Sequence, residues 1–150
     1  MLSGYGMILK NSNVYYQSPS VTISYHEEQE IGLSVWNSPV GSHEVREAVL
    51  LICHTIERFG LTRWLSDTRN LRAFQEQDRQ WTMEHIAPSL LSGALRKVAV
   101  LLPPDRENSA QTNHILHQLP EVRQYLLIQD FYEPQEALAW LLQESLQPQP

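Results

Sequence analysis

Cysteine is nearly absent from this chain: Cys53 is the single cysteine among 150 residues. One cysteine excludes an internal disulfide framework. Cys53 lies in a helical apolar pattern and has no activating neighbour in the sequence. This pattern favours a buried, unreactive thiol over a redox or nucleophilic one.

Long apolar runs are missing too. No stretch approaches the roughly 20 apolar residues that a helix needs to cross a bilayer. Residues 1–7 show neither the basic start nor the apolar segment of a signal peptide. We therefore expect a cytoplasmic protein without a membrane span.

Positive charge is scarce. Lys and Arg number 11 against 17 Asp and Glu, and the formal net charge is -6. Nucleic acid requires a concentrated basic surface, so we expect no nucleic-acid partner. A local basic patch is still compatible with the acidic total, and its candidate members are Arg63, Arg69, Arg72, Arg96 and Lys97.

Motifs of well-defined chemistry are also missing. The chain has no glycine-rich phosphate loop followed by a lysine, and no nucleophile elbow. Of the six histidines, His114 and His117 share a predicted helical face. No carboxylate pattern accompanies them, so solvated helix residues are favoured over metal ligands. We predict no catalytic residue set, no metal site and no cofactor.

The size and periodicity of the chain are informative. A chain of 150 residues that is 42% hydrophobic predicts one domain, residues 1–150, with an ordinary core. Apolar residues alternate over 21–25 and 31–36, which predicts a hairpin. Over 42–59 they recur every three or four residues up to Gly60, which predicts an amphipathic helix capped at Ser42.

The rest of the chain alternates strands with helices. The order β-β-α-β-α-β-α-β-α predicts an α/β domain whose mixed, mostly parallel sheet has helices packed on it. A short edge strand over 13–17, with exposed tyrosines, offers a surface for a homodimer. Pro88 predicts a kink or an early end of one helix. The later strands are expected at 61–65, 98–102 and 124–128, and the later helices at 76–91, at 105–119 and from Pro134.

A polar cluster follows the strand candidate that contains Trp64. Ligands and partners meet open α/β sheets at the carboxyl ends of strands, and Asp67 stands at such an end. One interpretation is structural: Asp67 and Asn70 shape a turn, and Arg69 pairs with a carboxylate.

The other interpretation is a recognition surface for a phosphate, a carboxylate or the acidic patch of a partner. Guanidinium groups bind such oxygens in a bidentate manner. The residues predicted to form this surface are Asp67, Thr68, Arg69, Asn70 and Arg72, with Trp81 and Trp64 as an apolar floor.

Several of these residues, together with the element order, match one family. The matching residues are Trp64 to Leu71, Gln77 and Asp78 with Trp81, Glu84 and Pro88, Gly93 with Arg96 and Lys97, and Phe131 followed by Glu136 to Leu141. Over about residues 13–145 the chain resembles the STAS domain, the anti-anti-sigma-factor fold. More narrowly, it resembles the SpoIIAA-like small bacterial proteins, which are classed both with STAS domains and with a type of lipid carrier.

The resemblance implies a non-enzymatic regulatory domain that binds a protein partner. In anti-anti-sigma factors, a kinase-like partner phosphorylates a serine at the start of the helix after the third strand. The corresponding segment here, residues 73–78, contains no hydroxyl side chain and already carries acidic charge. We therefore expect a binding domain that lacks the usual phosphoserine.

Two alternatives stay open. An enzyme would use Asp67 or Glu84 as a general base, although no catalytic motif accompanies either residue. The other alternative is a carrier of a small ligand or lipid with an apolar pocket. The aromatic residues that suggest such a pocket are Tyr15, Tyr16, Tyr25, Trp36 and Trp64.

Overall fold

One six-stranded sheet organises the molecule. The computed structural model describes residues 12–37, 41–70, 76–104 and 126–143. The strands lie side by side in chain order, the first three antiparallel and the last four mutually parallel. This confirms the predicted α/β class with a mixed, mostly parallel sheet. The strands are β1 (Asn13–Gln17), β2 (Val21–His26), β3 (Ile31–Trp36), β4 (Arg63–Asp67), β5 (Lys97–Leu101) and β6 (Leu127–Phe131).

Three described helices follow parallel strands. Helix α1 (Ser42–Phe59) follows β3, α2 (Glu76–Ser92) follows β4, and α3 (Pro134–Leu141) follows β6. Helices α1 and α2 pack against each other, whereas α3 packs on β4, β5 and β6. The helix predicted over 105–119 lies outside the described residues. None of the described helices has the length and apolar character to cross a membrane.

Alternation along the strands separates two apolar clusters, one on each face of the sheet. Trp64 and Val98 belong to the cluster that includes Val45 and Ile56 of α1. The next residues along the same strands, Leu65 and Ala99, belong to the cluster that includes Ala137 and Leu141 of α3. Arg63 and Asp67, two residues before and after Leu65, therefore project toward the α3 face.

The ends of α1 confirm one prediction and correct another. Gly60 ends the helix with a φ of 59°, a left-handed conformation that glycine adopts at little cost. The N-cap is Gly41 rather than the predicted Ser42. The Ser42 hydroxyl instead donates to Asp78 Oδ2 of α2 at 2.8 Å, so it ties two helices together.

Pro88 does not end α2, which continues to Ser92. The prediction of an early end was wrong. Proline at this position removes the backbone donor for the Glu84 carbonyl. Both Pro88 and Glu84 are exposed, so water can hydrate that carbonyl.

The observed strand β4 lies two residues later than predicted, since Leu61 is buried in the core before the strand begins. Asp67 is consequently the last residue of β4 rather than part of the loop beyond it. Its sheet partners are Val35 on β3 and Leu101 on β5, and Phe131 of β6 continues the row. The predicted polar cluster therefore begins inside the sheet.

Candidate functional site

Asp67 is a buried carboxylate at the carboxyl end of β4, with 3% of its surface exposed. Oδ1 accepts from the backbone N–H of Arg69 at 3.1 Å and from Nε of the same residue at 3.0 Å. Oδ2 accepts from Nη2 of Arg69 at 2.8 Å. This bidentate, charge-assisted pair fixes the backbone two residues beyond the aspartate.

Thr68 attaches the same loop to the neighbouring strand. Its backbone N–H and its hydroxyl both donate to the Leu101 carbonyl, at 2.9 and 2.6 Å. Thr68 is 5% exposed. It therefore positions the loop, and its side chain is not presented to a partner in the folded chain.

The exposed part of the loop is small. Asn70 is exposed, and the Arg69 side chain retains 35% exposure beside Asp67. Arg72, the fifth residue predicted for this surface, lies outside the described residues. Asp67 shapes the turn and pairs with Arg69, as the structural interpretation predicted, while Asn70 and the outer edge of Arg69 face solvent.

Trp81 lies in a different environment from the one predicted. The guanidinium carbon of Arg46 is 5.3 Å from its ring centroid, and the His85 ring stacks on it at 4.8 Å. In the described part of the chain, no hydrogen bond or ring contact joins Trp81 to residues 67–70. Its neighbours place it at the contact between α1 and α2.

Asp78 is the polar centre of that helix contact, and sequence reasoning did not identify its role. It is 2% exposed and accepts from the Ser42 hydroxyl and, at 3.1 Å, from Nε of Arg46. These two hydrogen bonds connect Asp78 to residues that precede it in the chain by 36 and 32 positions. Sequence spacing within one helix carries no signal for such a contact.

The predicted basic patch does not form from Arg63 and Lys97. Arg63 donates from Nε to the Leu141 carbonyl and from Nη1 to the Gln29 carbonyl, each at 2.7 Å. Lys97 donates from Nζ to the Trp140 carbonyl at 2.9 Å. Two cations from the sheet thus satisfy carbonyls at the C-terminal end of α3, where the helix dipole is negative.

Lys97 is 2% exposed, and its ammonium group lies 4.8 Å from the centroid of the Trp140 ring. Burial lowers the pKa of Lys97 below its ordinary value, and the nearby Arg63 lowers it further. Arg96 is also committed, since Nη1 donates to the carbonyls of Gly93 and Leu95. Among the described candidates for the patch, each side chain has a structural partner.

The four parallel strands end at one edge of the sheet, because Val35, Asp67, Leu101 and Phe131 form a continuous row. The residues just beyond this row include one exposed aromatic, Tyr132, which is 38% exposed. We call this region the carboxyl-edge surface. Its solvent-facing residues are Asn37, Arg69, Asn70, Pro104, Tyr132 and Glu133.

The aromatic residues predicted to line a ligand pocket are dispersed. Trp64 is buried and donates from Nε1 to the Ser34 hydroxyl at 3.1 Å. Tyr25 stacks on Phe59 with a centroid separation of 3.9 Å. The Tyr15 hydroxyl is hydrogen-bonded to Nδ1 of His54.

Tyr16 and Trp36 are the two members of that aromatic set that line a small surface cleft. Neither the core tryptophan nor the Tyr15 and Tyr25 rings contribute to the lining of this cleft. The five aromatic residues therefore do not converge on one apolar chamber within the described part of the chain.

Cys53 is not an activated thiol, and the described histidines do not belong to a cluster of potential metal ligands. Burial, with the nearby Glu57 carboxylate, raises the pKa of Cys53 to about 11, so the thiol stays protonated at neutral pH. His114 and His117 lie outside the described residues. Within residues 12–37, 41–70, 76–104 and 126–143, no group of three or more potential metal ligands comes together.

Comparisons of the chain with protein-family models, with curated proteins and with solved structures gave no match. The resemblance to the STAS domain therefore stays a prediction from the quoted residues and the element order. The carboxyl-edge surface is the part of the site that is open to solvent.

Proposed function

We propose that this chain is a non-enzymatic, STAS-like regulatory domain that binds a protein partner through the carboxyl-edge surface. The main support for the proposal is the loop at the centre of this surface, which hydrogen bonds hold in one conformation. Asp67 holds Arg69, and Thr68 is bonded to β5, so Asn70 is displayed from a fixed backbone. A surface ordered before binding loses less conformational entropy when a partner docks.

The composition of the surface suits a protein partner. Tyrosine and arginine dominate the binding energy of many protein interfaces, and this edge exposes Tyr132 and part of Arg69. Asn37 and Asn70 add side-chain donors and acceptors at either side of the loop. A convergent set of reactive groups would instead be needed for catalysis.

The described geometry gives less support to the enzyme alternative. Both carboxylate oxygens of Asp67 accept hydrogen bonds from Arg69, which leaves the group poorly placed to take a proton from a substrate. Glu84 is exposed on α2 and has no convergent catalytic partner among the described residues.

The same geometry bears on phosphorylation. Thr68, one of the two hydroxyl residues nearest to the expected switch position, is buried and donates its hydroxyl proton to Leu101. A kinase would have to unfold the end of β4 to reach it. This supports a binding domain without a phosphoswitch at that residue.

Arg69 itself is a poor probe of the surface, because removing it leaves the Asp67 carboxylate buried without its cation. Asn70 and Tyr132 are better probes because both are exposed. The test is a cross-linking pull-down from extract of the native cell with the wild-type chain, with Asn70→Ala/Tyr132→Ala and with Asn13→Ala/Leu50→Ala. The control pair is also exposed, on β1 and α1.

We expect the wild-type chain and the control pair to capture the same partner, and the Asn70→Ala/Tyr132→Ala chain to lose it. Circular dichroism and thermal melts establish that all three chains are folded. Undiminished capture by the Asn70→Ala/Tyr132→Ala chain would show that the partner binds elsewhere.

A further inference from the structure

Strand β1 (Asn13–Gln17) forms one edge of the sheet. It is the first strand in the sheet order, and β2 is its neighbour on the inner side. In the described part of the chain, no backbone hydrogen bond is made on the outer side of β1. An unpaired strand edge presents a row of N–H and C=O groups that another strand can bind.

The exposed side chains of β1 are not the predicted tyrosines. Tyr15 and Tyr16 are half-buried, whereas Asn13, Val14 and Gln17 are exposed. Val14 is 60% exposed, the largest fraction among the large apolar side chains of the described residues. The edge therefore combines unpaired backbone groups with apolar surface that association can bury.

The charge of the chain favours a second copy at this edge. From residue 11 to residue 26 the sequence contains no Lys, Arg, Asp or Glu. Natural edge strands are commonly protected from self-pairing by charged side chains, above all by lysine, and β1 has none. The whole chain has a formal net charge of -6, so two copies repel each other except where neutral surfaces meet. The neutral β1 edge is such a surface.

The register of β1 with β2 determines the side of the sheet that each residue faces. Directly opposite residues of antiparallel strands point to the same side. Val14 lies opposite Ser24, which lies opposite Leu33, so Val14 projects toward the α3 face. Asn13 lies opposite Tyr25, which packs against the core cluster under α1, so Asn13 projects toward the α1 face.

Tyr15 also faces α1, although it follows Val14 directly. The register shifts between Val14 and Tyr16, which leaves Tyr15 as an extra residue of a bulge. The Tyr15 ring contacts the ring of Phe59 on α1, with 5.9 Å between the centroids. Asn13 and Tyr15 therefore share the α1 side, and Val14 lies between them on the other side.

This alternation makes β1 complementary to itself. Antiparallel pairing about a two-fold axis at Val14 places Val14 opposite its copy, and Asn13 opposite Tyr15 of the second copy. Each of these pairs joins residues that face the same side of the sheet. An axis at Tyr15 would instead oppose Val14 to Tyr16 of the second copy, and Tyr16 faces the α1 side. The bulge thus selects the register centred on Val14.

We propose that two copies of this chain associate through their β1 edges, antiparallel and with the two-fold axis at Val14. Each copy uses its own β1, so assembly ends at two copies. The strand has five residues and a length of about 17 Å, which makes the contact small. We therefore expect a weak dimer, with a Kd on the order of 100 µM. The inference is independent of the carboxyl-edge proposal, because that surface lies at the ends of the parallel strands.

The first test is analytical ultracentrifugation of the full chain between about 10 µM and about 1 mM, which brackets the expected Kd. The variant Val14→Lys places two like charges opposite each other at the axis. Leu50→Lys is its matched control, because Leu50 is also an apolar residue with 51% exposure, on α1. Both variants change the net charge equally, and circular dichroism establishes that both are folded.

We expect wild type and Leu50→Lys to shift from monomer to dimer over this range, with Kd values within about twofold of each other. Val14→Lys should raise the Kd at least about tenfold, because it replaces an apolar contact by like-charge repulsion. A general effect of net charge would change both variants alike.

The second test locates the axis by a disulfide. Directly opposite residues of an antiparallel pair have Cα atoms about 4.5–5.5 Å apart, within the range that a disulfide spans. Val14→Cys is compared with Leu50→Cys under oxidation by diamide, both in a Cys53→Ala background that removes the native thiol. Val14→Cys should form a covalent dimer at least about tenfold faster, because its two thiols face each other in the dimer.

A chain that stays monomeric at about 1 mM would overturn the proposal. Equal Kd values for Val14→Lys and Leu50→Lys, or equal cross-linking rates for the two cysteine variants, would place the contact elsewhere and overturn it too. Growth beyond two copies would contradict the closed arrangement. Loss of partner capture through Asn70 and Tyr132 would leave all of these readouts unchanged.

Discussion

Asp67 holds Arg69 through both of its carboxylate oxygens, at 3.0 Å from Nε and 2.8 Å from Nη2. The two residues are separated by one position, so the pair closes the turn that ends β4. The carboxylate is buried, whereas the guanidinium retains 35% exposure. Asp67 therefore contributes to the buried part of the fold, and Arg69 contributes to the carboxyl-edge surface.

Removing either member of this pair should destabilise the chain. Arg69→Ala should lower the free energy of unfolding by ~2 kcal/mol, below the ~3–5 kcal/mol of a fully buried pair because the guanidinium is partly hydrated. Urea unfolding of Asp67→Asn, of Arg69→Ala and of the double variant measures the coupling. The double variant should cost less than the two single losses combined. Strict additivity would contradict a direct pair.

Gly32 lies directly under the Trp64 ring. A Cβ at Gly32 would be 2.1 Å from Cζ3 of Trp64, and Trp64 is held by its hydrogen bond to Ser34. Gly32→Ala should therefore cost about 1–3 kcal/mol of stability through overpacking. Thermal and urea unfolding check this value.

Gly41→Ala is the matched control for Gly32→Ala, since the nearest atom to its Cβ is 3.9 Å away. It should cost less than Gly32→Ala. Gly32→Ala should cost less in a Trp64→Leu background than in wild type, because the smaller leucine side chain relieves the steric overlap. A Gly32→Ala chain as stable as wild type would show that Trp64 can move without cost.

Two buried helical threonines should respond differently to valine. The Thr82 hydroxyl has no hydrogen-bond partner among the described residues, whereas the Thr55 hydroxyl donates to the Leu51 carbonyl at 2.7 Å. An unsatisfied buried hydroxyl costs ~1–3 kcal/mol, and a satisfied one contributes about 1 kcal/mol. Thr82→Val should be neutral or stabilising, and Thr55→Val destabilising. The reverse order in urea unfolding would refute this account.

Because of Lys97, the free energy of unfolding should rise with pH in alkaline solution. Burial lowers its pKa in the folded chain below the ordinary value of 10.5. Between the two pKa values the unfolded chain binds more protons than the folded one, so the free energy of unfolding increases as the pH approaches 10.5.

The measurement for Lys97 is urea unfolding of wild type and Lys97→Met at a series of alkaline pH values. The difference between the two chains removes the contributions of tyrosines and other groups that titrate there. Wild type should gain stability relative to Lys97→Met as the pH rises. A difference that is flat or that falls with pH would contradict the proposed burial of the ammonium group.

The sequence predicted those helix ends and strands that depend on residues close together in the chain. Gly60 ends α1 and Pro134 opens α3, because their backbone preferences act within one or two residues. The alternation over 21–25 and 31–36 predicted the β2–β3 hairpin. The position of Asp67 at the carboxyl end of a strand was also predicted from local sequence, although the observed strand begins and ends two residues later than the predicted one.

Contacts between distant residues were not predictable from these patterns. Lys97 has the sequence appearance of a surface cation, but its partner is a carbonyl 43 positions later at the end of α3. Trp81 was predicted to form part of an apolar floor for the surface around Asp67, whereas its ring contacts Arg46 and His85. In both cases the packing of one helix decides the role of a residue on another element.

We propose that the carboxyl-edge surface binds a protein partner. The most direct test is the Kd of the captured partner for Asn70→Ala/Tyr132→Ala, compared with Asn13→Ala/Leu50→Ala, by isothermal titration calorimetry. We expect the affinity to fall at least about tenfold, or ~1.4 kcal/mol, for the first pair and less than about twofold for the second. Equal Kd values for the two pairs would contradict the proposal.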